Sequence, residues 1–409
     1  MTRFQCDVKG MLVGAAVWCS VFAIPVFAQP GAAPAAADKD ILPTTTAAEV
    51  SRAVGGPTLV SLHFKDVPLR TVVDEMAKQA GIKLPTFPSF VWQQQLPAKV
   101  TIDIDRQPYW LAVRELSKSS KSALQMSQWE NKPFWSMMQG DQIDGPQVSQ
   151  DLFLIVANSM RRDLSYSVRF GSQPATEDTK SLQFSASAFA DPKLRLIGYS
   201  MWMEVEKAVD EKGNSLKSKH ASDPSYSMQS ASAQTFVAGL TLPPNHGKRL
   251  ATIKGYIRLL QAKKIVTWEI RNILNSQKLE KTITNDIGTT RYVLNDVRKA
   301  GDSYTVDITA TTTPKEKPSP NQGFSSHPLQ FGSISSAFMR LFDYEGKEFQ
   351  LGGGGMRGDG NETNVTAGFS YNSFGEKTTI GEASKLVIEF PTELVELRVP
   401  FEFTDLPIP

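Results

Sequence analysis

The sequence predicts an α+β protein in which a small α/β module with two helices precedes two antiparallel β-sandwich-like domains. Two observations carry this prediction. A strand–turn–helix pattern occurs twice in residues 58–140, and from Asp151 onward short apolar strands alternate with turn residues. The predicted β domains span residues 151–262 and 265–409, and the second contains a Pro-rich insertion near residues 313–327.

The chain begins with the features of a signal peptide. A weakly basic start precedes an apolar run from Met11 to Phe27, and small residues occupy the −3 and −1 positions before Gln29. We predict that residues 1–28 are removed by cleavage after Ala28 and that the mature chain is periplasmic or secreted. An uncleaved membrane anchor is the alternative, but the run contains Pro25 and is shorter than the about 20 residues that cross a bilayer.

The composition limits the classes of partner. The 409 residues carry a formal net charge of +2, and loss of residues 1–28 leaves +1, so no basic footprint for nucleic acid is present. Both cysteines, Cys6 and Cys19, lie in the predicted signal peptide, so the mature chain has no thiol for a disulfide or a metal site. No later segment has the length of a membrane span. Residues 29–57 are rich in Ala, Pro and Thr and predict a disordered linker, with one helical turn possible at Ala47–Val54.

The first strand–helix unit follows the linker. Leu59–Phe64 alternates as a strand does, and the apolar residues of Leu69–Ala80 have the spacing of a buried helical stripe. We expect Asp66 to cap this helix, Pro68 to occupy its first turn and Gly81 to end it.

The second unit repeats the first. Val100–Ile104 alternates as a strand, Pro108 lies 40 residues after Pro68, and Tyr109–Ser119 has helical spacing. After it, Ala123–Met138 predicts a β-hairpin.

The module resembles the short N-terminal domain of secretins and TonB-dependent receptors, called the STN or N0 domain. The resemblance covers about 70 of the 409 residues. It implies an α/β fold and docking against another protein of the cell envelope. No secretin core or outer-membrane barrel is recognisable after it. The residues that carry the resemblance are Leu62-His63-Phe64-Lys65-Asp66-Val67-Pro68-Leu69, Gln79-Ala80-Gly81-Ile82, Lys99-Val100-Thr101-Ile102-Asp103-Ile104 and Pro108.

Candidate chemistry is sparse. The histidines after the signal peptide, among them His63, have no metal-ligand spacing, and no serine-nucleophile motif occurs. Gly353–Gly358 matches a dinucleotide-binding pattern in letters, but no helix follows it, so we predict a flexible hairpin loop. Asp103 and Asp105 are predicted on the solvent side of their strand. The sequence therefore predicts no cofactor, no metal and no enzymatic activity.

Aromatic residues give the strongest hint of a binding site. Eight aromatic residues lie between Phe87 and Trp135. Packing in the core or between domains is the favoured interpretation, and contact with a partner is the other. The candidate contact residues are Trp92, Trp110, Trp129 and Trp135.

These observations predict a non-catalytic, exported bacterial envelope protein that binds another envelope protein of unknown identity through the STN-like module. A β-sandwich protein that binds carbohydrate or peptidoglycan is the alternative. An exported hydrolase with scattered carboxylates has the least support.

Overall fold

The structure is a computed structural model, and it describes residues 42–82, 99–121, 123–129, 132–138, 145–169, 175–219, 226–228, 233–276, 278–285, 288–315, 336–359, 362–370 and 381–409. Asp40–Pro409 forms one compact unit. The described residues are rich in β-strands, which confirms the predicted β-dominated class. Their helices are α1 (Ala47–Ala53), α2 (Leu69–Ala80) and α3 (Tyr109–Ser120), with 3₁₀ turns at Ile273–Asn275 and Ser336–Phe338. The predicted signal peptide and most of the Pro-rich insertion lie outside the described residues.

The strands are numbered in chain order. They are β1 (Thr44–Thr46), β2 (Leu59–Pro68), β3 (Lys99–Pro108), β4 (Ala123–Trp129), β5 (Lys132–Met138), β6 (Gln147–Gln150), β7 (Phe153–Arg169), β8 (Ala175–Ala190), β9 (Leu196–Ser200), β10 (Glu204–Asp210), β11 (Lys217–Ser218), β12 (Tyr226–Ser227), β13 (Ala233–Thr241), β14 (Arg249–Arg271), β15 (Leu279–Thr284), β16 (Gly288–Ala300), β17 (Ser303–Pro314), β18 (Met339–Asp343), β19 (Gln350–Asp359), β20 (Glu362–Ser370) and β21 (Ala383–Pro407).

Three large sheets form the body of the protein. The spine sheet has the order β1-β21-β14-β9-β12, with β10 paired to β14 and β18 paired to β21. The first outer sheet has the order β11-β13-β8-β7-β6, and the second outer sheet has the order β15-β16-β17-β20-β19. Two smaller pairs, β2–β3 and β4–β5, complete the described strands.

The spine sheet is built on two long strands. β14 and β21 pair antiparallel from Arg249 opposite Pro407 to Arg271 opposite Lys385, with a register shift at Lys264. The boundary predicted at 262–265 therefore lies inside one continuous strand. The sequence pattern changes there because the strand passes from one core to the next, and Lys263 and Lys264 at the crossing are exposed.

Each outer sheet packs against a different half of the spine. The first outer sheet encloses a core with the first half of β14 and the second half of β21, where the Phe184 and Phe403 rings lie 5.6 Å apart. The second outer sheet encloses a core with the other halves, where the Tyr292 and Phe390 rings lie 4.3 Å apart. We call these the first unit and the second unit. The last strand of the chain therefore completes the first unit, contrary to the predicted extent of the 265–409 domain.

The two units share one topology. Read in chain order, β6, β7, β8, β11 and β13 occupy the same places in the first outer sheet as β15, β16, β17, β19 and β20 in the second. All of these neighbours are antiparallel. Between the third and fourth members, β10 in the first unit and β18 in the second join the spine sheet instead. The first unit also adds β9 and β12 to the spine sheet, and these two strands have no counterpart among the described strands of the second unit. The β body thus contains the same arrangement of strands twice.

An identical aspartate turn marks the same place in each unit. Asp210 ends β10, and its carboxylate accepts from the backbone N–H groups of Lys212, Asn214 and Gly247 at 2.7–2.9 Å. Burial acts to raise the pKa of Asp210, but these bonds and one from the Asn214 side chain outweigh it and lower the pKa to about 2. The Asp210 carboxylate thus connects its turn to Gly247, which lies two residues before the long spine strand β14.

The second aspartate turn follows the same plan. Asp343 ends β18 and accepts from the backbone N–H groups of Glu345, Lys347 and Gly381 at 2.8–2.9 Å. Here too burial opposes the hydrogen bonds, and the hydrogen bonds lower the pKa of Asp343. Gly346 has a φ of 79°, and Gly213, at the same place in the first turn, has a φ of 84°. This left-handed backbone conformation favours glycine.

Part of the predicted linker is ordered. Within residues 29–57, β1 pairs in parallel with Glu396–Arg398 of β21, and α1 follows it directly. Thr46 and Glu49 form a reciprocal capping box, and Ala47 and Val50 enter the core of the first unit. The capping residues and the buried face explain why so short a segment forms a helix.

The glycine-rich segment is a strand, not the predicted hairpin loop. Gly353–Gly358 lies within β19, which pairs with β20 from Gln350 to Asp359. None of these glycines has a positive φ, so the segment is extended. The glycines give this segment no alternation of apolar side chains, so the sequence does not predict a strand here. The strand is held by its backbone pairing with β20.

Candidate docking face of the strand–helix module

The module consists of two equivalent strand–helix units. β2 continues into α2 at Pro68, and β3 continues into α3 at Pro108, with both prolines at the N-cap position. The strands pair antiparallel, and their inward residues share one core with both helices. The predicted hairpin after the module is present as β4 and β5, and its described strands confirm that prediction.

The two strands bend through matching bulges. Asp66 and Arg106 have φ values of 54° and 46°, and the register shifts at both. Asp66 N donates to Thr101 Oγ1 at 3.1 Å, and Arg106 N donates to Ser61 Oγ at 2.9 Å. The prediction that Asp66 caps α2 is wrong, because the left-handed backbone at Asp66 directs its carboxylate to Lys99 Nζ at 2.7 Å.

Gln79 connects α2 to β2. Its side-chain amide donates to Ser61 O at 2.9 Å and accepts from Ser61 N at 2.9 Å. The amide thus supplies the backbone partners that another strand would supply to Ser61. This contact fixes the helix against the bulge.

The outer side of β2 and β3 is a polar, exposed surface. His63 Nδ1 lies 2.6 Å from Asp103 Oδ1, and the two side chains are 60% and 87% exposed. Ser61 Oγ donates to Asp105 Oδ1 at 3.0 Å. Ile102 and Ile104 are buried on the opposite side, so the predicted solvent position of Asp103 and Asp105 is confirmed. We call this surface the docking face; its residues are Ser61, His63, Lys65, Lys99, Thr101, Asp103 and Asp105.

Trp110 mounts the module on the first outer sheet. Its indole Nε1 donates to Ala190 O at 2.6 Å, its ring lies 5.0 Å from the Phe189 ring, and the residue is 8% exposed. Leu154 and Val156 of β7 belong to the same core as the module. Trp110 therefore packs between domains, which is the favoured interpretation of the aromatic cluster, and is not an exposed partner contact.

Asp191 provides a polar counterpart to this contact that sequence reasoning missed. Asp191 is buried and accepts from Thr58 N at 2.7 Å and from Thr58 Oγ1 at 2.8 Å. Thr58 O accepts from Tyr109 N at 2.9 Å, so the contact reaches the start of α3. The only sequence signal was an aspartate at the end of a strand, which many turns share.

The other candidate tryptophans are placed only in part. Trp92 lies outside the described residues. Trp129 pairs with Lys132 and Trp135 pairs with Met126 in the β4–β5 hairpin. The two are therefore not cross-strand partners.

A buried charged cluster lies where β1 meets the spine. Glu396 contacts the Tyr226 hydroxyl, lies 2.6 Å from Arg398 Nε and lies 3.5 Å from Arg258. Burial and then the hydrogen bond to Glu396 raise the pKa of Tyr226. Glu396 N also donates to Pro43 O at 2.8 Å. Arg258 also lies 3.4 Å from Glu204, so the cluster pairs two carboxylates with two guanidinium groups. Through Glu396 it contacts the described end of the predicted linker.

The described residues contain no cluster of three or more His, Cys, Asp or Glu side chains placed to hold a metal. They also contain no helix long and apolar enough to cross a membrane.

The geometry defines a β-rich chain whose duplicated body carries a small strand–helix module. Comparison with protein-family models, with curated proteins and with solved structures gives no match.

Proposed function

We propose that this chain is an exported, non-catalytic bacterial envelope protein that binds another envelope protein through the docking face of an STN-like module. In this proposal the two β units have β-sandwich character and serve as the scaffold. The observation that carries the proposal is the contrast between the two sides of the module. One side is fixed to the body by Trp110 and Asp191, and the other side exposes the docking face.

The attachment of the module to the first outer sheet favours binding, because it lowers the entropic cost of association. A module on a flexible tether loses orientational freedom when a partner binds, whereas a module already held in place loses less. The docking face is polar and carries both signs of charge, which is typical of surfaces that gain specificity and association rate from electrostatics.

The two turn aspartates, whose pKa values are lowered, have structural roles, which supports a non-catalytic function. Asp210 and Asp343 are saturated by turn N–H groups. Trp110 is buried, so among the candidate rings it gives the carbohydrate-binding alternative no support.

Site-specific photocrosslinking in cells tests the docking face. A photoreactive residue at Thr101 is expected to give one discrete covalent adduct in the envelope fraction. The matched control is Thr282 on β15, also exposed on a strand but far along the chain, where no such adduct is expected. The charge reversal Asp103→Lys should reduce the Thr101 adduct without changing the amount of protein. Equal adducts from both positions, or an adduct unaffected by Asp103→Lys, would contradict the proposal.

Export is tested separately. Fractionation and N-terminal sequencing of the mature chain should place it outside the cytoplasm and begin it at Gln29. A mature chain that keeps Met1 and remains in the membrane would show an uncleaved anchor instead.

A further inference from the structure

The outer edge of the second outer sheet is a long strand that has no strand partner on its outer side among the described residues. β19 is the last strand in the sheet order and pairs with β20 on one side. On its other side, no strand pairs with it among the described residues. Residues 352–358 are all exposed. Ser336 lies against Gly354, on the other face from Gly353 and Gly355. The described residues leave the outer backbone of β19 without a strand partner, and such edges are templates for another strand.

The duplicated unit shows that this openness is not a requirement of the fold. The strand in the same place of the first outer sheet is β11, which contains only Lys217–Ser218. Short edge strands are one of the ways in which proteins prevent unwanted pairing. The second unit has a ten-residue strand at the place where the first unit has two residues.

Three side-chain features describe what can lie against the edge. The Cβ positions of Gly353 and Gly355 have no atom within 4 Å, so large neighbouring side chains have room there. Met356 is 60% exposed and offers an apolar contact. Arg357 is exposed, and none of the ion pairs among the described residues includes it.

A second copy of the chain fits this edge poorly. Self-pairing would place glycines opposite glycines, and cross-strand side-chain pairs are the main stabilising contacts of a sheet. One strand pair is also small beside the roughly 800 Å² per partner that stable interfaces bury. An extended peptide needs only backbone pairing and a few side-chain contacts.

We propose that β19 binds an extended segment of another protein by strand addition. The segment has large, mainly aromatic side chains at alternating positions, which cover Gly353 and Gly355, and a carboxylate that meets Arg357. Aromatic neighbours are known to compensate for glycine at sheet edges. This binding surface is separate from the docking face and does not depend on it.

Fluorescence anisotropy with the full mature chain tests the proposal. The probe is a labelled peptide, acetyl-Thr-Phe-Thr-Tyr-Thr-Glu-amide, whose two aromatic side chains and carboxylate alternate along one face, as Gly353, Gly355 and Arg357 do on β19. We expect saturable binding, and hydrogen exchange should show protection of amides in residues 352–359. The same peptide N-methylated at alternating amides should not bind, because it cannot complete the backbone pairing.

Variants locate the peptide. Gly355→Lys places a charge on the edge, where its Cβ meets no atom, and should weaken binding by at least about tenfold. Thr282→Lys, on the opposite edge strand β15, should leave binding unchanged. Arg357→Glu should weaken binding and should recover it with a peptide that ends in Lys. If Gly355→Lys lowers the unfolding temperature, Met356→Lys is the replacement, because Met356 is already exposed.

Three outcomes would overturn the proposal. The first is no binding of the probe peptide, and the second is binding that Gly355→Lys and Met356→Lys leave unchanged. The third is concentration-dependent self-association of the full chain that Gly355→Lys abolishes, which would make a second copy the occupant.

Discussion

The first and second β units differ in the outer faces that they build on one shared topology. In the first unit, Phe153 and Ile155 point into the core while Leu154 and Val156 pack under the module. The start of β7 is therefore buried on both sides and reads as an unbroken apolar run. A strand with two buried faces loses the alternation that marks a strand with one.

The corresponding strand of the second unit keeps its alternation. Tyr292 and Leu294 of β16 enter the core, while Arg291 on the outer face pairs with Glu280 through an Nε–Oε2 bond of 2.9 Å. Thr309 of β17 bonds Asn364 and Asn295 on the same face, at 2.6 Å and 2.8 Å. The comparison teaches that the two units share a strand order and an aspartate turn, whereas the outer face of the first unit packs against the module and that of the second is solvated.

Removing the last strand should break the first unit selectively. Truncation after Glu393 removes Leu397, Val399, Phe401 and Phe403 from the first core. At about 1.5–3 kcal/mol for each buried side chain, the loss is comparable with the whole stability of a domain. Hydrogen exchange should show loss of protection in β8 and β13 and retained protection in β17 and β20. Truncation after Ile408, which removes only the exposed Pro409, is the control, and equal loss in both units would show that they fold as one.

Trp110→Ala should release the module from the body. The substitution removes the ring and its hydrogen bond to Ala190 O, and it should destabilise the chain by about 3–5 kcal/mol. Val293→Ala on the outer face of the second unit is the matched control, with a loss below about 1 kcal/mol. Urea unfolding gives the free energies, and limited proteolysis near Gly55 should accelerate only in the Trp110 variant. Unchanged proteolysis would contradict the role of Trp110 as mount.

Asp210→Asn and Asp343→Asn compare the two aspartate turns. Each removes a charge that accepts several N–H bonds, so each should cost about 1.5–3 kcal/mol in the free energy of unfolding. The folded pKa of Asp210 is lowered to about 2 from the ordinary 3.8, so its contribution is complete above pH 4 and disappears as the pH falls toward 2. Urea unfolding between pH 6 and pH 2 should show a smaller pH dependence in the Asp210 variant. An unchanged pH profile would show that the turn gains nothing from the charge.

Arg291→Gln should have the smallest effect. Its ion pair with Glu280 is exposed on both sides, and exposed pairs contribute little because water already solvates both charges. We expect thermal unfolding to stay within about 2 °C of the parent chain. A large drop in the unfolding temperature would mean that the outer face of the second unit contributes to stability, as the outer face of the first unit does by packing against the module.

The sequence predicted elements that depend on local pattern. Leu69–Ala80 is helical with the predicted bounds, and the second helix ends one residue later than predicted, at Ser120. Apolar spacing, a proline at the start and Gly81 at the end specify such helices without help from distant residues.

Long-range organisation could not be read in the same way. No local pattern shows that residues 394–407 pair with the first half of β14, or that Asp210 and Asp343 are equivalent. The repeat is carried by strand order and by single aspartate and glycine positions, since the core residues differ in identity. The function of the docking face remains a prediction. Its strands and the exposure of its residues could be predicted from the alternation of apolar and polar residues.

The pairing of β14 with β21 sets an order in time for the growing polypeptide. Translation delivers a chain from its amino end, yet the core of the first unit cannot close before residues 394–407 have been made. Contacts so distant along the chain slow folding, and the half-finished unit exposes apolar surface in the interval. The core of the first unit must therefore close only after the carboxyl end of the chain has been made, although the strands of the first outer sheet are synthesised before those of the second.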